Sequence, residues 1–334
     1  MAGEGSGHAM RSRVIIEHLQ KKHTVKVVSH DFGYKNLQND FDMTEIAGLR
    51  FVYRHNKVQY IETALHNLLK LGSASKSVNR VLKLITKFKP DYIITDFEPV
   101  TAFLAKLKGI PLISIDNQHF ITNTRISFPR KYQKDYLAAK AVINLVIPPA
   151  KAYLVTTIAQ APIVKKKTFL FPPILRPEVL KLKPSSKDYI LVYTTSRFGE
   201  LNKILKKIDQ KFIVYGMNKF GKEKNIIYKK PSQTGFLRDL ADCKAVISTS
   251  GFTLLGESLH LNKPFCALPV ERQFEQIINA IYVEKQGYGY FCKTVDYNEI
   301  TGFIKKIPDY KKALEKYNRS DNKKLFRKID LLIK

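Results

Sequence analysis

The chain has 334 residues, 44% of them hydrophobic, which is too long for one ordinary α/β domain and enough for two cores. Its 57 Lys+Arg against 29 Asp+Glu leave a formal net charge of +28, a field that attracts anionic partners. No apolar run reaches membrane-spanning length and the start lacks the layout of a signal peptide. Three cysteines (Cys243, Cys266, Cys292) without metal spacing exclude a disulfide framework and point to a reduced, cytosolic protein.

The basic residues are spread along the chain, with denser runs at Lys165–Lys167, Lys203–Lys211 and Lys305–Lys334. Most read as solvated helix faces. No interleaving of aromatics and glycines suggests RNA binding, so no nucleic-acid partner is expected. An anionic membrane surface is the partner that best accounts for the excess, through a peripheral association with the inner face of the cell membrane.

The chain opens Met1-Ala-Gly-Glu-Gly-Ser-Gly-His8, with Gly3, Gly5 and Gly7 feeding a helix predicted over Met10–Lys21. Such a turn permits positive φ and lets a ligand approach the backbone at a helix N-terminus. A strand normally precedes it in the centre of the sheet. None fits ahead of Met1, so the first strand is expected to be missing from this half. His8, at the mouth of the turn, is suited to a general base near neutral pH. An acidic residue, Asp31, follows the next strand, which leaves an NAD-type oxidoreductase open, although the spacing is not Gly-x-Gly-x-x-Gly.

Short β-branched runs then alternate with amphipathic stretches, the pattern of βαβ units. Strands are expected at Val25–Ser29, Leu49–Tyr53, Tyr92–Thr95, Leu112–Ile115 and Tyr153–Thr157. Helices are expected at Tyr60–Leu71, Ser75–Phe88, Val100–Lys108 and Asp135–Leu145. Asp96 and Glu98 follow one strand; Asp116, Asn117, Gln118 and His119 follow the next. Ligands in such sheets bind at the carboxyl ends of strands. Helix capping by Asp96 and Asp116 would account for part of this set.

Pro172, Pro173, Pro177 and Pro184 mark a boundary. The alternation restarts with strands Tyr189–Tyr193, Phe212–Tyr215, Ile226–Tyr228, Ala245–Thr249 and Pro264–Ala267. Helices Phe198–Ile208, Gly235–Ala241, Thr253–Leu261 and Phe274–Gln286 accompany them, and one or two basic helices follow over Pro308–Lys334. The expected domains are 1–180, 185–310 and a C-terminal basic helix, 311–334, packing back on the first half.

The segment Ser248-Thr-Ser-Gly-Phe-Thr-Leu-Leu-Gly-Glu-Ser-Leu259 leaves a strand and starts a helix. Ser250, Gly251 and Thr253 put hydroxyls and N–H groups where a diphosphate could sit, and Glu257, one turn on, could take ribose hydroxyls. Glu271, Gln273 and Gln276 offer donors and acceptors to a sugar. Each piece alone would suit an ordinary capped helix; the ordered set from Ser248 to Tyr290 is harder to explain that way.

This set resembles the donor region of GT-B glycosyltransferases, such as the lipid-linked N-acetylglucosaminyltransferase of peptidoglycan synthesis and its relatives. It is more similar still to a little-characterised prokaryotic group with the Gly-x-Gly-x-Gly-His opening and the string Asp116-Asn-Gln-His119. The resemblance implies two Rossmann-like domains facing a cleft and a UDP-linked sugar held by the C-terminal half. Ser250, Gly251 and Thr253 would face the phosphates, with Ser196 and Arg197 nearby. Glu257 would face the ribose, and Gln273 and Gln276 the sugar. Gly5, Gly7, Arg11, Glu98, Asp116, Asn117, Gln118 and His119 would lie on the acceptor side, with His8, or second Asp96, as base. The expected reaction is a metal-independent, inverting transfer to a cell-envelope lipid or glycan, with no cofactor. A UDP-sugar epimerase on the same scaffold is the other alternative.

Overall fold

The computed structural model describes residues 1–3, 5–48, 53–54, 57–58, 71–194, 199–217, 219–319 and 321–333. The chain forms two compact units: Met1–Arg176 together with Asp321–Lys334, and Pro177–Ser320.

In the first unit, β1 (Val27–Ser29) pairs in parallel with β2 (Met43–Glu45), and β3 (Tyr53–Arg54) forms a small antiparallel pair with β4 (Lys57–Val58). The main sheet is a four-stranded parallel one, β5 (Ile93–Thr95), β6 (Leu112–Asp116), β7 (Ala152–Thr156) and β8 (Thr168–Phe171), in that order. Every residue of β6 and β7 is buried. A parallel sheet covered on both faces needs such continuous apolar runs, which is why these strands read clearly in the sequence. Leu112 packs with Val81, Ile85, Ala102 and Leu104, whereas its neighbour Ile113 packs with Val14, Ile15 and Leu19. Successive side chains point to opposite faces, so these are the two layers of the unit's core.

The last helix, Lys323–Leu332, belongs to this unit for a packing reason. Its Leu325 and Ile329 join the layer of Val14, Ile15 and Leu19. His18 Nε2 lies 2.7 Å from Asp330 Oδ1, and its ring stacks on Phe326 at 4.1 Å. The other basic helix, Ile307–Leu314, lies in the second unit.

The second unit holds a seven-stranded sheet in the order β11-β12-β10-β9-β13-β14-β15. Its strands are β9 (Ile190–Tyr193), β10 (Phe212–Tyr215), β11 (Gly221–Glu223), β12 (Ile226–Tyr228), β13 (Ala245–Ser248), β14 (Phe265–Ala267) and β15 (Gly289–Phe291). All pairings are parallel except β11 with β12. The order runs outward from β9 in both directions, through β10 on one side and β13 on the other. The carboxyl ends of β9 and β13 therefore flank the switch point where such sheets take ligands.

The expected strand Leu49–Tyr53 and helix Tyr60–Leu71 fall largely outside the described residues. The structure adds β2, β8, β15 and the helices Asp31–Leu37 and His119–Asn123 to the elements expected.

Candidate active site

In the first unit, Gly5 has φ 75° and caps the helix Ser6–Leu19 with no side-chain cap. Gly3 is required for another reason: a Cβ there would lie 1.9 Å from the carbonyl oxygen of His30. The turn is thus pressed onto the end of β1, and Gly3 N–H donates to His30 Nε2 at 3.0 Å. His30 is buried and its Nδ1 lies 3.1 Å from Asp31 Oδ2. Burial holds its pKa down against the pull of Asp31, which suits a neutral ring accepting at Nε2.

The first turns of this helix carry His8, Arg11 and Ser12, spaced so that all share one face. They converge on Asp96, just past β5. Arg11 Nε donates to Asp96 Oδ2 at 2.9 Å and its Nη2 to Oδ1 at 2.5 Å. Ser12 Oγ donates to Oδ2 at 3.1 Å, and His8 Nδ1 lies 3.0 Å from the same oxygen. Burial opposes ionisation of this carboxyl. The Arg11 and His8 charges and hydrogen bonds overturn that effect and hold Asp96 well below the usual carboxylate range. Arg11 Nη1 donates to Asn117 Oδ1 at 2.7 Å, tying the ends of β5 and β6 to the helix.

His8 Nδ1 has two neighbours, because Arg11 Nη2 lies 2.8 Å away. With the proton on Nδ1 the ring donates to Asp96. With the proton on Nε2 the same nitrogen accepts from Arg11. The first tautomer leaves Nε2 with its lone pair, the arrangement of a histidine base oriented by a carboxylate.

Several residues expected beside this site do other work. Glu98 is 1% exposed and caps the helix Pro99–Leu107, accepting from Val100 N–H at 2.7 Å and Thr101 N–H at 2.9 Å. The capping expected of Asp96 thus falls to Glu98, which frees Asp96 for His8 and Arg11. Asp116, 1% exposed, accepts from Ser114 Oγ at 2.5 Å and from His119 N–H at 2.9 Å, and its Oδ2 lies 2.7 Å from His119 Nδ1. Burial opposes its ionisation too, and His119 overrides it. Asp116 and His119 therefore form an internal pair that fixes the turn after β6. Gln118 is buried at the start of the same helix. Gly7 lies within the first turn of its helix. Ser12 is the residue the sequence reading passes over; its position four after His8 is the signal that could have found it.

In the second unit the helix Phe252–His260 begins at Gly251 with no side-chain cap. Among the described residues a Cβ at Gly251 would meet nothing within 4 Å, so none of them covers this helix end at that point. First-turn N–H groups lack partners within their helix and sit at the positive end of its dipole, which suits an anion. Ser250 does not present its hydroxyl here: Oγ donates to the carbonyl of Gln276 at 2.8 Å, and the residue is fully buried. The side chain of Gln276 is likewise engaged, accepting from Val270 N–H at 3.0 Å. Glu257 is 1% exposed, one turn into the helix, while Thr253 and Gln273 are half-buried and Glu271 is exposed. Asn279 Nδ2 donates to the carbonyl of Ser250 at 3.0 Å and so holds the loop from behind. Ser196 and Arg197 lie outside the described residues.

Two Rossmann-like sheets, each with an open glycine-capped helix end, define the class: these are the halves of a GT-B protein. Residues 1–308 match Glycosyl transferase family 1, and the chain belongs to that family; it is a glycosyltransferase. Two uncharacterised glycosyltransferases, from Methanosarcina acetivorans and Methanosarcina mazei, are each 24% identical to it, covering 86% of this chain and 83% of theirs. Among solved structures, Phytolacca americana UGT2 complexed with UDP-2-fluoroglucose and pterostilbene has a TM-score of 0.71 at 12% identity, over 99% of this chain and 97% of its own. Acinetobacter baumannii MurG has a TM-score of 0.61 at 14% identity, over 99% and 98%. The glycosyltransferase VinC, in complex with dTDP, has 0.65 at 12%, over 100% and 97%. Family membership decides against the NAD-type oxidoreductase left open by the glycine turn.

Proposed function

We propose that the protein moves a sugar from a UDP-sugar to a hydroxyl of a cell-envelope lipid or glycan, by a metal-independent displacement that inverts the anomeric carbon. The observation that carries this reading is the contact of His8 Nδ1, at 3.0 Å, with a buried carboxylate that Arg11 and His8 hold ionised and to which Ser12 also donates. His8 Nε2 takes the proton of the acceptor hydroxyl as its oxygen attacks the anomeric carbon. The bond from that carbon to the UDP oxygen breaks, and the diphosphate leaves with the electron pair. Its charge is met by the helix N-terminus at Gly251, with Arg197 in support. Asp96 is a positioning residue, since its oxygens are already engaged by Arg11, Ser12 and His8. Glu257 takes the ribose hydroxyls, Gln273 and the amide NH2 of Gln276 the sugar, and Thr253 and Glu271 line the donor side. The structures of UGT2 with a UDP-sugar analogue and of VinC with dTDP support a nucleotide-linked donor.

The lipid acceptor and the anionic membrane surface rest on the net charge of +28. Among the described residues no helix is long and apolar enough to cross a membrane, so the association proposed is peripheral.

The test is incubation with UDP-, GDP- and dTDP-sugars, with and without lipid acceptors, read by release of free nucleotide. Acceptor-dependent UDP release supports the reading. Conversion of the donor sugar without an acceptor would instead make the protein an epimerase.

A further inference from the structure

In the first unit β5, β6 and β7 follow one another across the sheet and run parallel, so their right-handed crossovers lie on one face. Three helices cover that face: Leu71–Phe88, Pro99–Leu107 and Gln133–Val146. Their inward residues share one layer of the core. Val81 and Ile85 of the first pack with Ala102 and Leu104 of the second, and Val146, ending the third, packs there with Ile147. Together the three helices carry seven Lys or Arg and one acidic residue, Asp135. Around the helix Ser6–Leu19, on the opposite face, acid and base are paired: Arg13 with Glu17 and Asp40, Lys22 with Asp330.

The outward stripes of these helices are of two kinds. In Leu71–Phe88 the residues Ser77, Val81 and Ile85 are buried, and the exposed Lys76, Arg80, Lys83 and Lys87 recur at helical spacing on the other side. In Pro99–Leu107 the exposed residues are Phe103, Lys106 and Leu107, with Leu107 one turn beyond Phe103. In Gln133–Val146 only Ile143 is buried. Leu137, Ala141 and Leu145 stand opposite it at intervals of four, all exposed, flanked by Lys134 and Lys140. Leu107 is 73% exposed and Leu145 76%, so neither draws on the core for its burial. A cationic stripe beside two apolar ones is the composition of helices that lie in a membrane interface.

We propose that this helix layer is the surface by which the protein docks on an anionic lipid bilayer. Phe103, Leu107, Leu137 and Leu145 enter the boundary between headgroups and acyl chains, while the stripe from Lys76 to Lys87 meets lipid phosphates. The proposal rests on the reading of a lipid-directed transferase and gives that reading a face. Charge sets the occupant. Each basic residue near an anionic leaflet adds to the attraction, so the cations of three helices act together. A second copy of the chain would bring like charge against like charge. A soluble polyanion would take the lysines and leave the leucines in water. The helix Pro99–Leu107 begins three residues after Asp96, so a bilayer against it lies beside the strand ends that carry the His8 site.

Vesicle sedimentation of the full chain tests the surface without reference to turnover, so failure here and failure of the transferase reading, read by nucleotide release, are separate results. The probes are vesicles of phosphatidylcholine alone and of phosphatidylcholine mixed with phosphatidylglycerol. The protein is expected to bind the anionic vesicles and not the neutral ones, and to bind less as salt rises. Leu107→Gln with Leu145→Gln should weaken binding about tenfold or more. Lys83→Gln with Lys87→Gln should weaken it several-fold. Lys203→Gln with Lys207→Gln, which removes the same charge from the second unit, should leave it nearly as it was. All six positions are exposed, so the Tm should hold in each variant. No binding to anionic vesicles overturns the proposal. An equal loss in the two lysine pairs also overturns it, making the attraction a property of net charge alone. Undiminished vesicle binding in the leucine pair overturns it as well: the face then joins copies of the chain if that pair turns a dimer into a monomer in sedimentation equilibrium, or holds a polyanion if that pair lowers retention on heparin.

Discussion

The two units present the same device with different equipment. In each, a glycine without a side-chain cap opens a helix at the carboxyl end of a parallel strand or turn: Gly5 before Ser6–Leu19, Gly251 before Phe252–His260. A Cβ at either would stand in open space. Beyond the glycine they part. The first helix sends His8, Arg11 and Ser12 to one buried carboxylate. The second offers no charged side chain in its first turn and turns the Ser250 hydroxyl inward. A helix end with a proton-handling side chain suits chemistry on a hydroxyl, while a bare one suits an anion held by backbone alone. One local geometry thus serves two roles, and the side chains of the first turn decide which.

The sharpest way to break this comparison is His8→Ala. Turnover should fall by about 10²–10⁴-fold, while UDP binding measured by calorimetry stays as it was. Unchanged turnover would remove the distinction between the two helix ends. Next in size is Asp96→Asn, which strips the partner from a buried guanidinium. Breaking such a pair costs about 3–5 kcal/mol, to be read in urea unfolding, and turnover should fall with it because His8 loses its anchor. Gly251→Val should do the converse. It adds a side chain to open space, so the Tm should barely move, while UDP affinity drops by about tenfold or more, equivalent to roughly 1.4 kcal/mol. Equal UDP affinity would mean that the helix end in the second unit is not the donor site. The smallest effect is in pH. The folded Asp96 carboxyl is held below its unfolded value of about 3.9, so its contribution to stability is complete above that pH. It declines as pH falls toward the depressed folded value. Unfolding midpoints between pH 6 and pH 3 should fall less steeply in Asp96→Asn than in the parent.

The fold was legible where burial is two-sided. β6, β7, β9, β10 and β13 stand as runs of Ile, Leu and Val, and their expected and observed spans agree to within a residue or two. Short strands hid better: β2, beginning Met43-Thr, is half exposed, and β8 follows directly on the lysine run 165–167. Within the site, residue types and strand ends placed His8, Arg11 and Asp96 near one another. What sequence could not supply was the direction of each side chain. Asp96, Glu98 and Asp116 all stand at or just past strand ends, yet Glu98 turns to cap a helix, Asp116 closes on His119, and only Asp96 meets the glycine turn and its helix. The same applies to Ser250, whose hydroxyl turns to the Gln276 carbonyl within the helix Phe274–Lys285, and to Gln276, whose Oε1 takes the N–H of Val270 in the loop before it.

Arg11 joins three elements through one planar group: its own helix, the residue after β5 and the residue after β6. The fork of a guanidinium tolerates little displacement. Any slip of β5 against β6, even one the apolar layers could absorb, would carry Asp96 and Asn117 out of its reach together. The chemistry of His8 is then a gauge of alignment in the sheet, and misassembled molecules would fall silent while still compact.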